Sequence, residues 1–175
     1  MGPPAERFRA ILGEGRVLDH PLERTVYSRD GSIADGECGL VVLPETTDEI
    51  VACINVAREL GVAVVPRGSG TGLTGAAVPL DGAVVLSTAR MTRIREIDES
   101  VPCAWVEPGV LNLDITTAVH DRGLHYAPDP SSQAACSIGG NVATNSGGPH
   151  CLAAGVTSQH VLGLELVTAE GEILQ

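Results

Sequence analysis

The chain has 175 residues, of which 43% are hydrophobic, enough for one ordinary domain with its own core. Its formal net charge is −11, from 22 acidic residues against 11 scattered basic ones, all arginine, and that disfavours nucleic-acid binding because phosphate contacts need clustered cations. No apolar run reaches the length of a membrane span and the amino terminus has no signal-peptide core, so the expected location is cytoplasmic, with membrane association only through a complex.

In chain order, Pro4 to Leu12 reads as a short helix, with Phe8, Ile11 and Leu12 on one face and Gly13 or Gly15 ending it. Val17 to Ser32 has no clear period and reads as an extended segment and loop. Leu40-Val41-Val42-Leu43 is a buried strand closed by Pro44. Thr46-Thr47-Asp48-Glu49 carries a capping-box pattern. Ile50, Val51, Ile54, Ala57 and Leu60 follow at helical spacing, and Gly61 sits where a terminating glycine belongs. Val62 to Val65 is the next strand, giving a βαβ unit expected to be parallel and right-handed. Ala83 to Leu86, the alternating Arg93 to Asp98, and Cys103 to Glu107 read as further strands. Leu111 to Arg122 reads as a helix stopped by Gly123. Two prolines, Pro128 and Pro130, exclude regular structure from Ala127 to Ser132. Val161 to Val167 reads as a strand that Glu170-Gly171 turns into Glu172-Ile173-Leu174. A hairpin whose second strand is the last few residues reads as cut off mid-domain.

The five cysteines, Cys38, Cys53, Cys103, Cys136 and Cys151, are odd in number and lack C-x-x-C spacing. They predict neither a disulfide framework nor a zinc or iron–sulfur site. The histidines form no ligand-spaced pair, and no metal site is expected.

The strand at Val62 to Val65 runs into Pro66-Arg67-Gly68-Ser69-Gly70-Thr71-Gly72-Leu73-Thr74-Gly75. Glycine lets a second molecule approach the backbone, and successive free N–H groups make a concave anion site. A Walker loop is excluded, because the chain has no lysine. The dinucleotide fingerprint is spelled by Gly70 to Gly75, but it must open a helix. Here Pro79, Gly82 and the apolar run Ala83 to Leu86 follow, which is loop and then strand. What remains is a loop that holds a phosphate through backbone amides, or a glycine-rich surface loop without a ligand.

Residues 128–148 form a second constellation. Ser131, Ser132, Asn141, Asn145 and Ser146 offer hydroxyls and amides, while Gly139, Gly140, Gly147 and Gly148 permit close approach. The alternative is a long structural loop satisfied by its own turns.

Both stretches resemble one family. Pro66 to Gly75 resembles the FAD pyrophosphate loop of vanillyl-alcohol-oxidase-type (PCMH-type) flavoproteins. Tyr126-Ala127-Pro128-Asp129-Pro130-Ser131-Ser132 resembles a Pro-Pro-Asp-Pro-Ser-Ser segment found in the glycolate oxidase D, D-lactate dehydrogenase and D-2-hydroxyglutarate dehydrogenase branch. Ser137 to Pro149 is similar to that branch's Ser-x-Gly-Gly-Asn-x-Ala-x-Asn-x-Gly-Gly run. Gly155-Val156-Thr157 with Val161-Leu162-Gly163-Leu164-Glu165 resembles its Gly-x-Thr and Val-Leu-Gly-Leu-Glu motifs, and Tyr27-Ser28-Arg29-Asp30 fits its amino-terminal part.

The resemblance implies an α+β (α/β) PCMH-type fold, a small parallel βαβ subdomain followed by a mixed or antiparallel one. It implies an amino-terminal helix and extended segment at 1–35 and an FAD domain at 36–175, split into subdomains near 36–88 and 89–175, the second incomplete. Arg67, Gly68, Ser69, Gly70, Thr71, Gly72 and Leu73 would wrap the FAD pyrophosphate. Pro130, Ser131 and Ser132 would line the flavin, and Gly139, Gly140, Asn141, Asn145 and Ser146 would hold the isoalloxazine and ribityl region. The Val161 backbone and the turn Pro108-Gly109-Val110 would meet the adenosine half. Two departures stand out. Ala153-Ala154 replaces a Lys-Tyr pair common in the branch. Thr71 stands where relatives with covalent flavin place a histidine, so dissociable FAD is expected.

The activity implied is oxidation of a small 2-hydroxy acid such as glycolate or D-lactate, with hydride passing to flavin N5. The substrate would be met through a separate substrate domain that this sequence lacks, so no catalytic residue is assigned and the chain alone is expected to be inactive. His125 and His150, near the right loops, read as structural residues or as supports behind the site. Other oxidase subunits are expected as partners. Two alternatives stay open: a non-catalytic flavin-binding subunit of a larger oxidase, and the FAD domain of a different enzyme on the same fold, such as a sugar-nucleotide reductase or an ether-lipid synthase.

Overall fold

A computed structural model describes residues 4–175 of the chain. Its first layer is a four-stranded sheet built from β1 (Val17–Leu18), β2 (Cys38–Val42), β3 (Val64–Arg67) and β4 (Ala83–Ser87) in spatial order β1-β2-β4-β3. β2 and β3 both run parallel to β4, and β1 runs antiparallel to β2. The expected βαβ unit is therefore parallel, with β4 between its two strands. β3 starts two residues later than the sequence pattern indicated. The cause is the preceding helix, α3 (Thr47–Leu60): the Val62 N–H bonds back to Ala57 O at 3.0 Å and closes the helix end, with Gly61 at φ 65°.

β2 and β4 are buried on both faces, which is why they read as unbroken apolar runs. On one face Leu40, Val42, Val84 and Leu86 pack against Phe8 and Leu12 of α1 (Pro4–Leu12) and Cys53 and Ala57 of α3. On the other, Val41, Leu43 and Val85 meet Leu18 and Tyr27. A bulge between Cys38 and Leu40 turns Cys38 onto this second face. Burial pushes the Cys53 thiol up to about 12, with Glu49 adding to the effect, so it is an inert core residue. The segment 1–35 is joined to this layer from residue 4 onward, through α1 and β1; its first three residues lie outside the described ones.

A helix, α2 (Pro21–Tyr27), occupies part of the stretch expected to be irregular. Pro21 opens it and the His20 side chain accepts from Leu22 N at 3.3 Å. It is only seven residues long, too short for the Leu22–Val26 pair to establish a period, and both of these side chains are exposed. At α3 the Thr46 hydroxyl accepts from Glu49 N, but the Glu49 carboxylate turns to Glu45 N and Arg16, each at 2.7 Å, so the capping box is half formed.

The second layer begins with an antiparallel pair, β5 (Ile94–Asp98) and β6 (Cys103–Val106). Helices α4 (Asn112–Val119), α5 (Ile138–Thr144) and α6 (Cys151–Ala154) follow, then a hairpin of β7 (Leu166–Val167) and β8 (Ile173–Leu174). The strand expected over Val161 to Val167 is paired only at its last two residues, because β8 supplies only two partners. The hairpin docks on α3: Thr47 Oγ1 donates to Glu165 Oε1 at 2.6 Å and Arg58 Nη1 to Glu170 O at 2.8 Å.

Glu107 anchors this layer. Its side chain is 2% exposed and accepts from Arg93 N at 2.9 Å, Arg93 Nε at 2.9 Å and Arg95 Nη2 at 3.1 Å. Burial alone would raise its pKa; the Arg93 side chain and amide, with Arg95, outweigh burial and hold it below the ordinary 4.5. A depressed folded pKa contributes stability that is present above the unfolded value and lost as pH falls through the folded one. The urea midpoint should therefore drop as pH is lowered below 4.5. Glu107→Gln should be less stable at neutral pH and show a flatter profile in that acid window; an unchanged profile would remove Glu107 from this account.

Candidate cofactor site

β3 ends at Arg67, and residues 68–82 run as an irregular loop straight into β4. No helix follows the glycines, so the dinucleotide fingerprint is a coincidence of letters. Arg67 itself is turned beneath the loop. Its guanidinium lies 5.4 Å from the centre of the Tyr27 ring, and Nη1 donates to Arg29 O at 2.7 Å. It occupies the space a side chain on Gly70 would need: a Cβ there would stand 2.1 Å from Nη2, and Gly70 has φ 72°. Glycine at 70 is required by the backbone angle, and a side chain there would also have to displace the guanidinium from its place under the loop. Burial lowers the Arg67 pKa, offset by Tyr27, Asp30 and Cys38.

Above the guanidinium the loop is open. Among the described residues, the amides of Gly70, Thr71, Gly72 and Leu73 have no hydrogen-bond partner. Gly72 and Leu73 are exposed. Ser69 N is the exception and donates to Ser137 Oγ at 3.3 Å.

That bond joins the two constellations. Ser137 stands at the start of α5, where its hydroxyl is free of the usual capping bond and instead meets the loop. A Cβ on Gly68 would lie 2.2 Å from Ser137 Oγ. The stretch 137–148, read from sequence as irregular, folds in part into α5 because its contacts demand a slim helix. A Cβ on Gly139 would press within 2.7 Å of Pro108 Cβ, and Gly139 N donates to Pro108 O at 2.9 Å. Two helical glycines cost about 1 kcal/mol each against alanine, so tertiary contact overrides propensity here.

Asn141 lies inside the wall, not on it. Its side-chain oxygen accepts from Asn112 Nδ2 at 3.1 Å and its nitrogen donates to Ser146 Oγ at 3.3 Å; the residue is 2% exposed. Asn112 Nδ2 also donates to Pro128 O at 3.1 Å. This buried pair ties α4, α5 and the Pro128 segment together. Asn112 was missed in the sequence, although a carboxamide set among Leu111, Leu113 and Ile115 was a signal for it. Asn145 ends α5 at φ 50° and its Oδ1 accepts from Ser158 N at 2.9 Å. The Ser146 carbonyl accepts from the fully buried Thr157 hydroxyl at 2.7 Å.

Pro130 is buried, Ser132 half-buried and Ser131 exposed, and neither serine hydroxyl has a partner among the described residues. Gly148 runs against the same segment: a Cβ there would stand 2.3 Å from Asp129 O. His150 Nδ1 pairs with Asp129 Oδ2 at 2.5 Å, and that hydrogen bond holds the Asp129 carboxyl below its usual range despite partial desolvation. His125 is exposed. Val161 follows the last 3-10 turn in extended conformation, and its backbone is unbonded among the described residues. Where Lys-Tyr was expected, Ala153 and Ala154 close α6; Ala154 O lies 2.7 Å from His160 Nε2, and the His160 ring stands edge-on to Tyr126 at 6.1 Å.

The FAD binding domain family model matches residues 39–175. The chain belongs to that family. FAD is its cofactor, and the site fits it: free backbone donors suit a pyrophosphate, and the unpartnered hydroxyls of Ser131 and Ser132 offer polar contacts on the second wall. Of curated relatives, "Glycolate oxidase subunit GlcD" of Escherichia coli is 51% identical over 182 residues, covering 98% of this chain and 36% of the relative. "D-2-hydroxyglutarate dehydrogenase" of Stutzerimonas stutzeri is 32% identical, covering 100% of this chain and 38% of the relative. The FAD-binding chain thus spans just over a third of the length of these relatives. Among solved structures, alkyldihydroxyacetonephosphate synthase superposes with a TM-score of 0.89 at 21% identity, over 98% of this chain and 34% of that one. The architecture is the PCMH-type α+β fold expected from the sequence.

In the FAD-binding domain, Asn141→Ala should leave one of the two buried Asn112 side-chain N–H groups unpaired, the other keeping Pro128 O. The expected cost is about 2–3 kcal/mol in urea unfolding. Adding Asn112→Ala should cost less than the sum of the two single changes; strict additivity would show that the pair is not coupled.

Proposed function

We propose that this chain is the FAD-holding portion of a flavin-dependent oxidoreductase that oxidises a small 2-hydroxy acid, glycolate or D-lactate being the type. One observation carries the reading: residues 66–75 and 126–148 form one surface joined at Ser69 and Ser137, and the likeness to the glycolate oxidase subunit runs through both. The bound flavin supplies a hydride acceptor at N5. The chain's residues bind and orient. The free amides of Gly70, Thr71, Gly72 and Leu73 hold the pyrophosphate, on a loop shaped by Gly68 and Ser69. Pro130, Ser131 and Ser132 line the flavin, with Gly139 and Gly140 keeping the first turn of α5 slim and Asn145 and Ser146 at its far end. The Val161 backbone serves the adenosine half. Asn141 and Arg67 act from behind this surface. No catalytic side chain is assigned, and the domain division at 36–88 and 89–175 belongs to the same reading.

Thr71 carries no imidazole for a covalent bond to flavin, which supports non-covalent FAD. The relative from Escherichia coli is a subunit of glycolate oxidase, which supports a second reading, in which this chain works within a multisubunit oxidase.

Purified protein titrated with FAD should quench flavin fluorescence, and acid precipitation should release all the flavin to the supernatant. Grafted in place of the matching segment of the Escherichia coli glycolate oxidase subunit, it should give a chimera whose flavin is bleached by glycolate or D-lactate. Absence of FAD binding contradicts the cofactor site; a flavin-loaded chimera that no 2-hydroxy acid bleaches contradicts the substrate class.

A further inference from the structure

The family match begins at residue 39, yet the underside of the glycine loop is made by residues before it. α2 ends at Tyr27, and the Arg67 guanidinium stacks on that ring. Through Nη1 the same guanidinium reaches Arg29 O at 2.7 Å and Ala77 O at 3.4 Å. One cation therefore ties the turn after α2 to both ends of the loop. Asp30 shapes that turn: its Oδ1 accepts from Ser32 N at 2.8 Å, and its Oδ2 is buried without a partner among the described residues.

Gly31 makes the decisive contact. A Cβ on it would stand 2.9 Å from the carbonyl oxygens of both Thr71 and Gly72. A trans peptide is planar, and its N–H points opposite to its C=O. Carbonyls of Thr71 and Gly72 pressed toward Gly31 therefore turn the N–H groups of Gly72 and Leu73 away from the turn. Those are two of the loop's unpartnered donors. The turn fixes donor direction without touching the ligand.

We propose that the turn Tyr27–Ser32 is a positioning element for the phosphate site, with Tyr27 and Arg67 holding the start of the loop and the bare edge of Gly31 aiming the Gly72 and Leu73 amides. This rests on the FAD reading above. Arg67 is then a positioning residue, and the phosphates are held by backbone donors.

Gly31→Ala tests the claim cleanly, because φ at Gly31 lies outside the left-handed region and the only new demand is space beside the two carbonyls. Tyr27→Leu removes the ring face, while Tyr27→Phe keeps it. Gly15→Ala is the control, since a Cβ there meets nothing within 4 Å. The first readout needs no flavin: the steady-state ¹H–¹⁵N NOE of Gly70, Gly72 and Leu73 in the FAD-free protein. The second is the Kd for FAD and for ADP, which share the pyrophosphate, by fluorescence and by calorimetry. Gly31→Ala and Tyr27→Leu should lower or shift the loop NOE values and weaken both ligands about tenfold, the equivalent of one charge-assisted hydrogen bond. Gly15→Ala and Tyr27→Phe should match the parent in both. Loop NOE values and affinities unchanged in Gly31→Ala and Tyr27→Leu would overturn the proposal. A parent protein that binds neither ligand would defeat the FAD reading, and the NOE arm would still decide whether the turn sets the loop.

Discussion

The Ser137 hydroxyl occupies the place where a side chain on Gly68 would have to stand. That contact is the join between the two layers on the cofactor side. It diverts Ser137 from capping its own helix and gives its oxygen to Ser69 N instead. With it, the loop leaving β3 and the first turn of α5 become neighbours across 68 residues of sequence. The rest of the second wall is arranged to allow this approach. Gly139 lets α5 lie flat on Pro108, and the Asn112–Asn141 pair locks the far side of the helix to the Pro128 segment. The Asn112 and Asn141 carboxamides that hold the wall are buried and satisfied, whereas the Ser131 and Ser132 hydroxyls and the loop amides from Gly70 to Leu73 have no partner among the described residues. That division separates scaffold from binding surface more sharply than residue type does.

The same separation appears in the glycine loop. Its side-chain cation faces inward, stacked on Tyr27, and its backbone donors face outward. An anion held by such a loop is met by N–H dipoles with no mobile charged side chain to order on binding, which limits the entropic cost of association. It also explains how a chain with net charge −11 can hold a pyrophosphate: the attraction is local and geometric, not a field of surface cations.

Much of the fold was legible in the sequence, for identifiable reasons. β2 and β4 are buried on both faces and announce themselves as apolar runs; α3 carries a cap, a stripe and a terminal glycine. α2 was hidden because it is only seven residues long, too short for the single Leu22–Val26 pair to establish a helical period. α5 was hidden because Gly139 and Gly140 lower helix propensity at positions where tertiary approach, not propensity, selects glycine. Of the site, the two stretches were legible, but the division of labour within them was not. Asn141 and Arg67 read as ligands and are turned inward, since hydrogen-bond partners such as Asn112 and Arg29 come from other elements and leave no local mark. Gly31 gave no sign at all, because its importance is the absence of a side chain beside a loop 40 residues away.

On the FAD reading, the glycine loop and the 128–148 stretch are two walls of one cleft. The direct measurement is an amide ¹H–¹⁵N titration of the protein with FAD. Gly70 to Leu73 on one wall and Ser131, Ser132, Asn145 and Ser146 on the other should shift together along one binding curve with a single Kd. Shifts confined to one wall, or two curves with different affinities, would contradict it.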